Sequence, residues 1–189
     1  MFTAATNLPF PQIPKVFLDS LNVLLQEQSI FRANDVNNSN FQLRRICADR
    51  FPDLIFWVKK NVTENFHKIH LQTINDGNYF DPHIDPVSNL APERHYNLMY
   101  LFETGGDCVE TCFYYTPPDT LDKCKQSGKF TFNYNEVSII SKFCFQKNTW
   151  NFMNNQCIHS VEGISSTRMG VALSFYDTTP PKFLQDFLK

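Results

Sequence analysis

The sequence has six cysteines but no CxxC pair and no finger-like spacing among Cys47, Cys108, Cys112, Cys124, Cys144 and Cys157. That absence removes the zinc-ribbon and zinc-finger readings and points to free thiols in a reducing compartment. Met1 to Pro11 lacks the basic region and apolar run of a signal peptide. No apolar stretch approaches the length that crosses a bilayer. The expectation is a soluble, cytoplasmic protein with no membrane partner, in which the sequons at Asn37 and Asn61 are accidental. There is no surplus of one charge either. The formal net charge is −2, which argues against general nucleic-acid binding, since that needs a cationic face. No internal repeat, low-complexity segment or interdomain linker stands out.

What the chain does contain is aromatic bulk. Nineteen Phe and a 42 % hydrophobic share in 189 residues are enough for a core that needs no disulfides. Residues 1–189 read as one domain: a helical part over about 1–66, a β-rich core over about 67–176, and a tail over 177–189. Residues 1–14 carry three prolines and look extended. Phe17, Leu18, Leu21, Leu24 and Leu25 have helical spacing over 15–28. An Asn-rich loop covers 35–40. A second helical region is expected over 41–66, split by Pro52, with Leu54, Ile55, Val58 and Val62 as its apolar stripe.

The period then changes to two. Ile69, Leu71 and Thr73 alternate with Lys68, His70 and Gln72, so 67–74 predicts a strand. Asn75-Asp76-Gly77-Asn78 is a turn signal. Strands are expected over 95–102 and 108–115, separated by a hairpin turn at Gly105-Gly106. Phe130, Phe132 and Tyr134 alternate again. Further strands are expected near 137–145, 149–153, 157–162 and 168–176. Loops over 86–93 and 116–129 are candidates for choosing a substrate. The tail from Pro180 reads as a short amphipathic helix, with Phe183, Leu184, Phe187 and Leu188 on one side. Helices followed by short strands define an α+β, mainly β domain with a sandwich or barrel core.

Within that core, His83 and Asp85 stand two residues apart in Asp81-Pro82-His83-Ile84-Asp85-Pro86. On a strand, both side chains leave one face. His159, far along the chain on another predicted strand, is the candidate third ligand. Two imidazoles and one carboxylate make a facial triad that leaves positions open and suits non-haem Fe(II). Arg168, across a Ser-Ser-Thr turn, can grip a carboxylate with two charge-assisted bonds. His67, His70 and His95 are not expected to be ligands. Trp150 and Phe152 are read as core, and Cys108, Cys112 and Cys157 as core thiols.

At these residues the chain resembles the Fe(II)/2-oxoglutarate-dependent dioxygenases, and within them the prolyl-hydroxylase-like branch. The resemblance covers about residues 70–176. It rests on Gly77 to Asp85, Arg94 to Leu101, Gly105-Gly106-Asp107, and His159-Ser160-Val161 with Arg168. It implies a double-stranded β-helix, or jelly roll, flanked by N-terminal helices. It implies His83, Asp85 and His159 as iron ligands, Arg168 as partner of the 2-oxoglutarate C5 carboxylate, and Tyr100 as a second partner of that carboxylate. Tyr96, Leu98 and Tyr100 share a strand face, so they are expected to line the pocket together. The chain departs from the branch at Ile74, where prolyl hydroxylases often carry a tyrosine, and at Gly105-Gly106-Asp107-Cys108, a loose echo of Gly-Gly-Glu-Thr.

The implied activity is hydroxylation with Fe(II), 2-oxoglutarate and O2, giving succinate and CO2. Asp85 occupies a position that related halogenases leave without a carboxylate, so hydroxylation is favoured. A peptidyl proline or other protein side chain fits the resemblance best as substrate, with a free amino acid or other small molecule as the alternative. Two other classes stay open: a metal-bearing jelly roll without catalysis, and a zinc hydrolase, although no HExxH helix is present. The sequence leaves the oligomeric state open.

Overall fold

The computed structural model describes residues 3–27, 41–75, 80–85, 95–121, 131–177 and 179–187. The strands are β1 (Ala4–Leu8), β2 (Phe41–Arg45), β3 (Lys68–Ile74), β4 (Phe80–His83), β5 (Tyr96–Thr104), β6 (Glu110–Tyr115), β7 (Ser138–Phe143), β8 (Thr149–Asn154), β9 (Ile158–Glu162) and β10 (Arg168–Phe175). The α-helices are α1 (Lys15–Ser20) and α2 (Pro52–Asn61), and a 3-10 turn (Leu21–Gln26) continues α1. The strands form two antiparallel sheets. One has the order β1-β8-β5-β10-β3-β2, and the other β4-β9-β6-β7. From β3 to β6 and again from β7 to β10 consecutive strands alternate between the sheets, with β6 and β7 paired as neighbours in the smaller one, in the manner of a double-stranded β-helix.

The larger sheet is buried on both faces. On its outer face Ile69, Leu71, Leu98, Tyr100, Trp150, Phe152, Val171, Leu173 and Phe175 pack with Leu21, Leu24, Leu54 and Val58 of the helical layer. On its inner face Met99, Leu101 and Met153 pack with Phe113 and Phe145 from the side of the second sheet. The helical layer is tied down by Arg44 on the edge strand β2. Its Nε donates to the Glu27 carbonyl at 2.9 Å, and its guanidinium also donates to the Leu25 carbonyl and to Thr73 Oγ1. Trp150 is sealed between the layers, and its Nε1 donates to the Pro11 carbonyl at 2.9 Å.

Several expected elements appear with their bounds trimmed, and others are corrected. Pro52 opens α2 at its first turn, where the missing N–H costs nothing, and Leu54 and Val58 are its buried stripe. Residues 41–45, expected to be helical, form β2 instead. They pair with β3 from Phe41↔Ile74 to Arg45↔His70, so a long-range ladder overrides a local helical period. Residues 4–8 are also recruited as a strand, against β8. The tail is a 3-10 turn (Lys182–Phe187), and its Leu184 packs into this chain's own core. Around Phe132 the chain makes an isolated bridge, His83↔Thr131, and then a 3-10 turn over Tyr134–Glu136. Cys112 and Cys157 are buried as expected, but Cys108 is exposed. The Asn-rich run 35–40, most of the 75–78 turn, the 86–93 loop and the greater part of the 116–129 loop lie outside the described residues. No helix among the described residues is long and apolar enough to cross a membrane. Trp150→Ala should cost about 3–5 kcal/mol of folding free energy, read as a lower urea midpoint with an unchanged slope.

Candidate metal centre

β4 is an edge strand of the smaller sheet and pairs with β9. The pairs are Phe80↔Val161 and His83↔His159, so β4 holds one extra residue between them. Pro82 stands in that bulge, where an edge position tolerates its missing N–H. Its carbonyl accepts the Phe132 N–H at 2.7 Å. The bulge brings His83 opposite His159, and both rings point to the interior with centroids 4.4 Å apart. Asp85 follows two residues after the strand ends. Ligand atoms of His83, Asp85 and His159 all lie within 4.8 Å of one another.

The two imidazoles are oriented alike. His83 Nδ1 lies 2.8 Å from the Asp81 carbonyl, and His159 Nδ1 lies 2.9 Å from the Cys157 carbonyl. A carbonyl only accepts, so each Nδ1 carries the proton and each Nε2 turns its lone pair to the centre of the group. Asp85 Oδ1 faces His83 Nε2 at 4.0 Å. Two neutral nitrogens and one carboxylate oxygen converging from a half-buried pocket fit a divalent transition ion with open positions. Cys157 adds no ligand: burial pushes its thiol up to about 11, so it stays protonated at neutral pH.

Arg168 opens β10 and also faces the interior. It is 4 % exposed, and its guanidinium lies 5.8 Å from the centre of the Phe145 ring. Among the described residues nothing gives it a hydrogen bond or an ion pair. The contrast with Arg44, whose donors meet carbonyls and hydroxyls, is direct. Burial lowers the Arg168 pKa to about 10, so the cation persists at neutral pH. Its folded pKa lies below the unfolded value of 12.5, so the charge costs folding free energy below about pH 10. That cost is lost as pH rises from about 10 to 12.5. Gly105 makes room for the arginine. Its φ is +89°, and a Cβ there would sit 2.9 Å from the Arg168 Cβ. Its carbonyl accepts the N–H groups of Ser165 and Ser166, holding the β9–β10 turn.

Two polar atoms share this interior. Gln72 pairs with Gly170 and so lies on the Arg168 face of the larger sheet. Thr111 pairs with Val161 on the inner face of the smaller sheet. Gln72 Oε1 and Thr111 Oγ1 are buried with no hydrogen-bond partner. Val161 touches the cluster that contains Ile74, the cross-strand neighbour of Arg168, which puts Thr111 on the wall facing the arginine. Sequence reasoning missed both residues. The available signal was the alternation of β3, which sets His70 and Gln72 on one face of the strand.

Tyr100 is elsewhere. It does share a face with Tyr96 and Leu98, but that is the outer face under the helices, 5.3 Å from the Trp150 ring. Burial raises its hydroxyl pKa, against a backbone hydrogen bond with Ile13. The expectation that it faces the carboxylate pocket is therefore corrected; Asn97, Met99 and Leu101 hold the inner positions of β5. Trp150 and Phe152 are core residues of the same outer layer, as expected. His67, His70 and His95 are not in the ligand group.

No family model matches the chain, and no curated protein matches it. Among solved structures it is similar to a prolyl hydroxylase from Trichoplax adhaerens in complex with a hypoxia inducible factor oxygen degradation domain peptide fragment. That likeness covers 93 % of this chain and 83 % of the other, at TM-score 0.54 and 14 % identity. It is also similar to an oxidoreductase of the 2OG-Fe(II) oxygenase family from Burkholderia pseudomallei, over 85 % of this chain and 77 % of the other, at TM-score 0.50 and 12 % identity. The chain has the jelly-roll fold of these two proteins. Tyr100→Phe should lower stability by about 1 kcal/mol, read as a lower urea midpoint.

Proposed function

We propose that the chain is an Fe(II)- and 2-oxoglutarate-dependent oxygenase that hydroxylates a peptidyl proline or another protein side chain. The observation that carries this is a His-Asp-His ligand set sharing an interior with a buried guanidinium that has no counter-ion among the described residues. A metal site alone would not need Arg168. A buried cation without a partner is expensive, and proteins retain one where a ligand supplies the missing anion.

The charges agree. His83, His159 and Asp85 together carry a single negative charge, so a divalent ion leaves a net positive one. Arg168 adds another. A dianionic 2-oxo diacid neutralises both: its 2-oxo acid end suits the metal and its far carboxylate suits the guanidinium. The connection agrees as well: Arg168 opens β10 just past the turn that ends β9, the strand that carries His159.

When bound, Fe(II) with O2 supplies oxidative decarboxylation of 2-oxoglutarate to succinate and CO2, coupled to conversion of a substrate C–H to C–OH. The chain's own residues do the rest. His83, Asp85 and His159 hold the ion on one side, leaving the other side open. Arg168 anchors and orients the diacid, with Thr111 and Gln72 offering further polar contacts. Met99, Leu101, Phe113 and Phe145 exclude water from the interior. The peptide seen with the Trichoplax prolyl hydroxylase favours a protein substrate, and a free amino acid is the second choice.

Arg168→Met tests the anchor. On Mn(II)-loaded protein it should weaken 2-oxoglutarate binding about 100-fold or more, the loss expected from two charge-assisted bonds. The ligand-free variant should melt no lower than the wild type, since a buried unpaired charge has been removed. In the wild type, 2-oxoglutarate affinity should fall as pH rises through about 10, where Arg168 loses its proton. Succinate release with Fe(II), O2 and a peptide panel, set against an amino-acid panel, tests the substrate class. Unchanged 2-oxoglutarate affinity in Arg168→Met would remove the basis for the proposal.

A further inference from the structure

The Asp85 carboxylate has two oxygens, and they face different partners. Oδ1 is turned toward His83 Nε2, at 4.0 Å. Oδ2 accepts a hydrogen bond from the side-chain amide of Asn155. The amide must present Nδ2 there, because the flipped arrangement would set oxygen against oxygen. Asn155 is 1 % exposed, so this contact is made inside the protein and not through solvent.

Asn155 is itself held by the backbone. It stands in the turn between β8 and β9, and its N–H donates to the His95 carbonyl at 2.9 Å. The preceding Asn154 N–H donates to the Thr3 carbonyl at 2.8 Å, and Asn154 Oδ1 accepts the Gln156 N–H at 3.0 Å. Four residues after Asn155 the same segment supplies His159, oriented by the Cys157 carbonyl. One short stretch, 155–159, therefore presents one ligand and grips another. Asp85 lies beyond the end of β4, so the Asn155 amide acts on it outside the strand ladder.

We infer that Asn155 is a positioning residue that holds Asp85 to one-oxygen coordination of the divalent ion. With Oδ2 engaged by the amide, only Oδ1 is offered to the metal. A carboxylate free to turn would offer both oxygens and take up a position that the diacid or O2 needs. The inference rests on the metal-centre reading above and adds a specific task for a residue outside the ligand set. Residues of this kind, bonded to a ligand but not to the ion, typically change metal affinity 10–100-fold when removed.

The test is Co(II) titration of the full chain, read by visible d–d absorption, in the wild type, Asn155→Leu and His83→Ala. Leucine keeps the shape of asparagine without its donor. Asn155→Leu should bind Co(II) about 10–100-fold more weakly, with a band shape different from the wild type as Oδ2 joins the ion. A merely structural role would leave the band shape alone. Wild-type affinity and band shape in Asn155→Leu would overturn the inference while leaving the metal centre standing. Wild-type binding in His83→Ala would overturn the metal centre itself and the inference with it. If leucine prevents folding, the wild type decides by its side-chain amide resonances. A slowly exchanging Asn155 NH2 that shifts on adding Zn(II) supports the grip, and a rapidly exchanging, unshifted one overturns it.

Discussion

The site depends on one irregularity in one ladder. Without the extra residue in β4, the register set by Phe80↔Val161 would place His83 opposite Ile158. Ile158 belongs to the outer cluster with Cys112, Tyr114 and Phe132. A one-residue slip of a strand turns every side chain to the other face, so His83 would leave the interior and the imidazole pair would not exist. The bulge, with Pro82 in it and the Pro82 carbonyl tied to Phe132, converts a plain edge strand into half of the candidate metal centre. The other half follows from β9, which carries His159 inward, and from the turn before it, which reaches Asp85 through Asn155.

A second constraint is that the larger sheet has no solvent face. The helical layer covers its outer side with Leu, Phe and Trp contacts, and that side supplies the aromatic core. The inner side is free to carry polar groups because another sheet shields them. Arg168 exploits this freedom. It is held at the mouth of a glycine turn, buried, charged at neutral pH and without a hydrogen-bond or ion-pair partner among the described residues. Burial of that kind is a liability in a bare jelly roll and an asset in one that receives an anion.

The triad residues were legible because each left a local trace. An HxD triplet follows a predicted turn, a second His sits on a predicted strand, and an Arg follows across a short turn. The alternation of 67–74 likewise gives β3 nearly to the residue. The failures have a common cause in contacts made between distant segments. β2 is a strand only because β3 offers it an edge, while its own short sequence reads equally well as helix. For β5, period two says that Tyr96, Leu98 and Tyr100 share a face. It cannot say which face looks inward when the alternate positions, Met99 and Leu101, are equally apolar. In β3 the usual rule is inverted: the more polar side is the interior, so the alternation alone does not mark Gln72 as an interior group. Asn155 left no trace, because a turn asparagine is ordinary until the fold brings Asp85 against it.

The proposal stands or falls on whether the ligand set and the 2-oxo diacid share one ion. Anaerobic Fe(II)-loaded protein mixed with 2-oxoglutarate answers this by visible absorption. A weak charge-transfer band that appears on mixing, and is absent in His159→Ala, is the expected result. A wild-type protein that binds Fe(II) yet shows no band at saturating 2-oxoglutarate would contradict it.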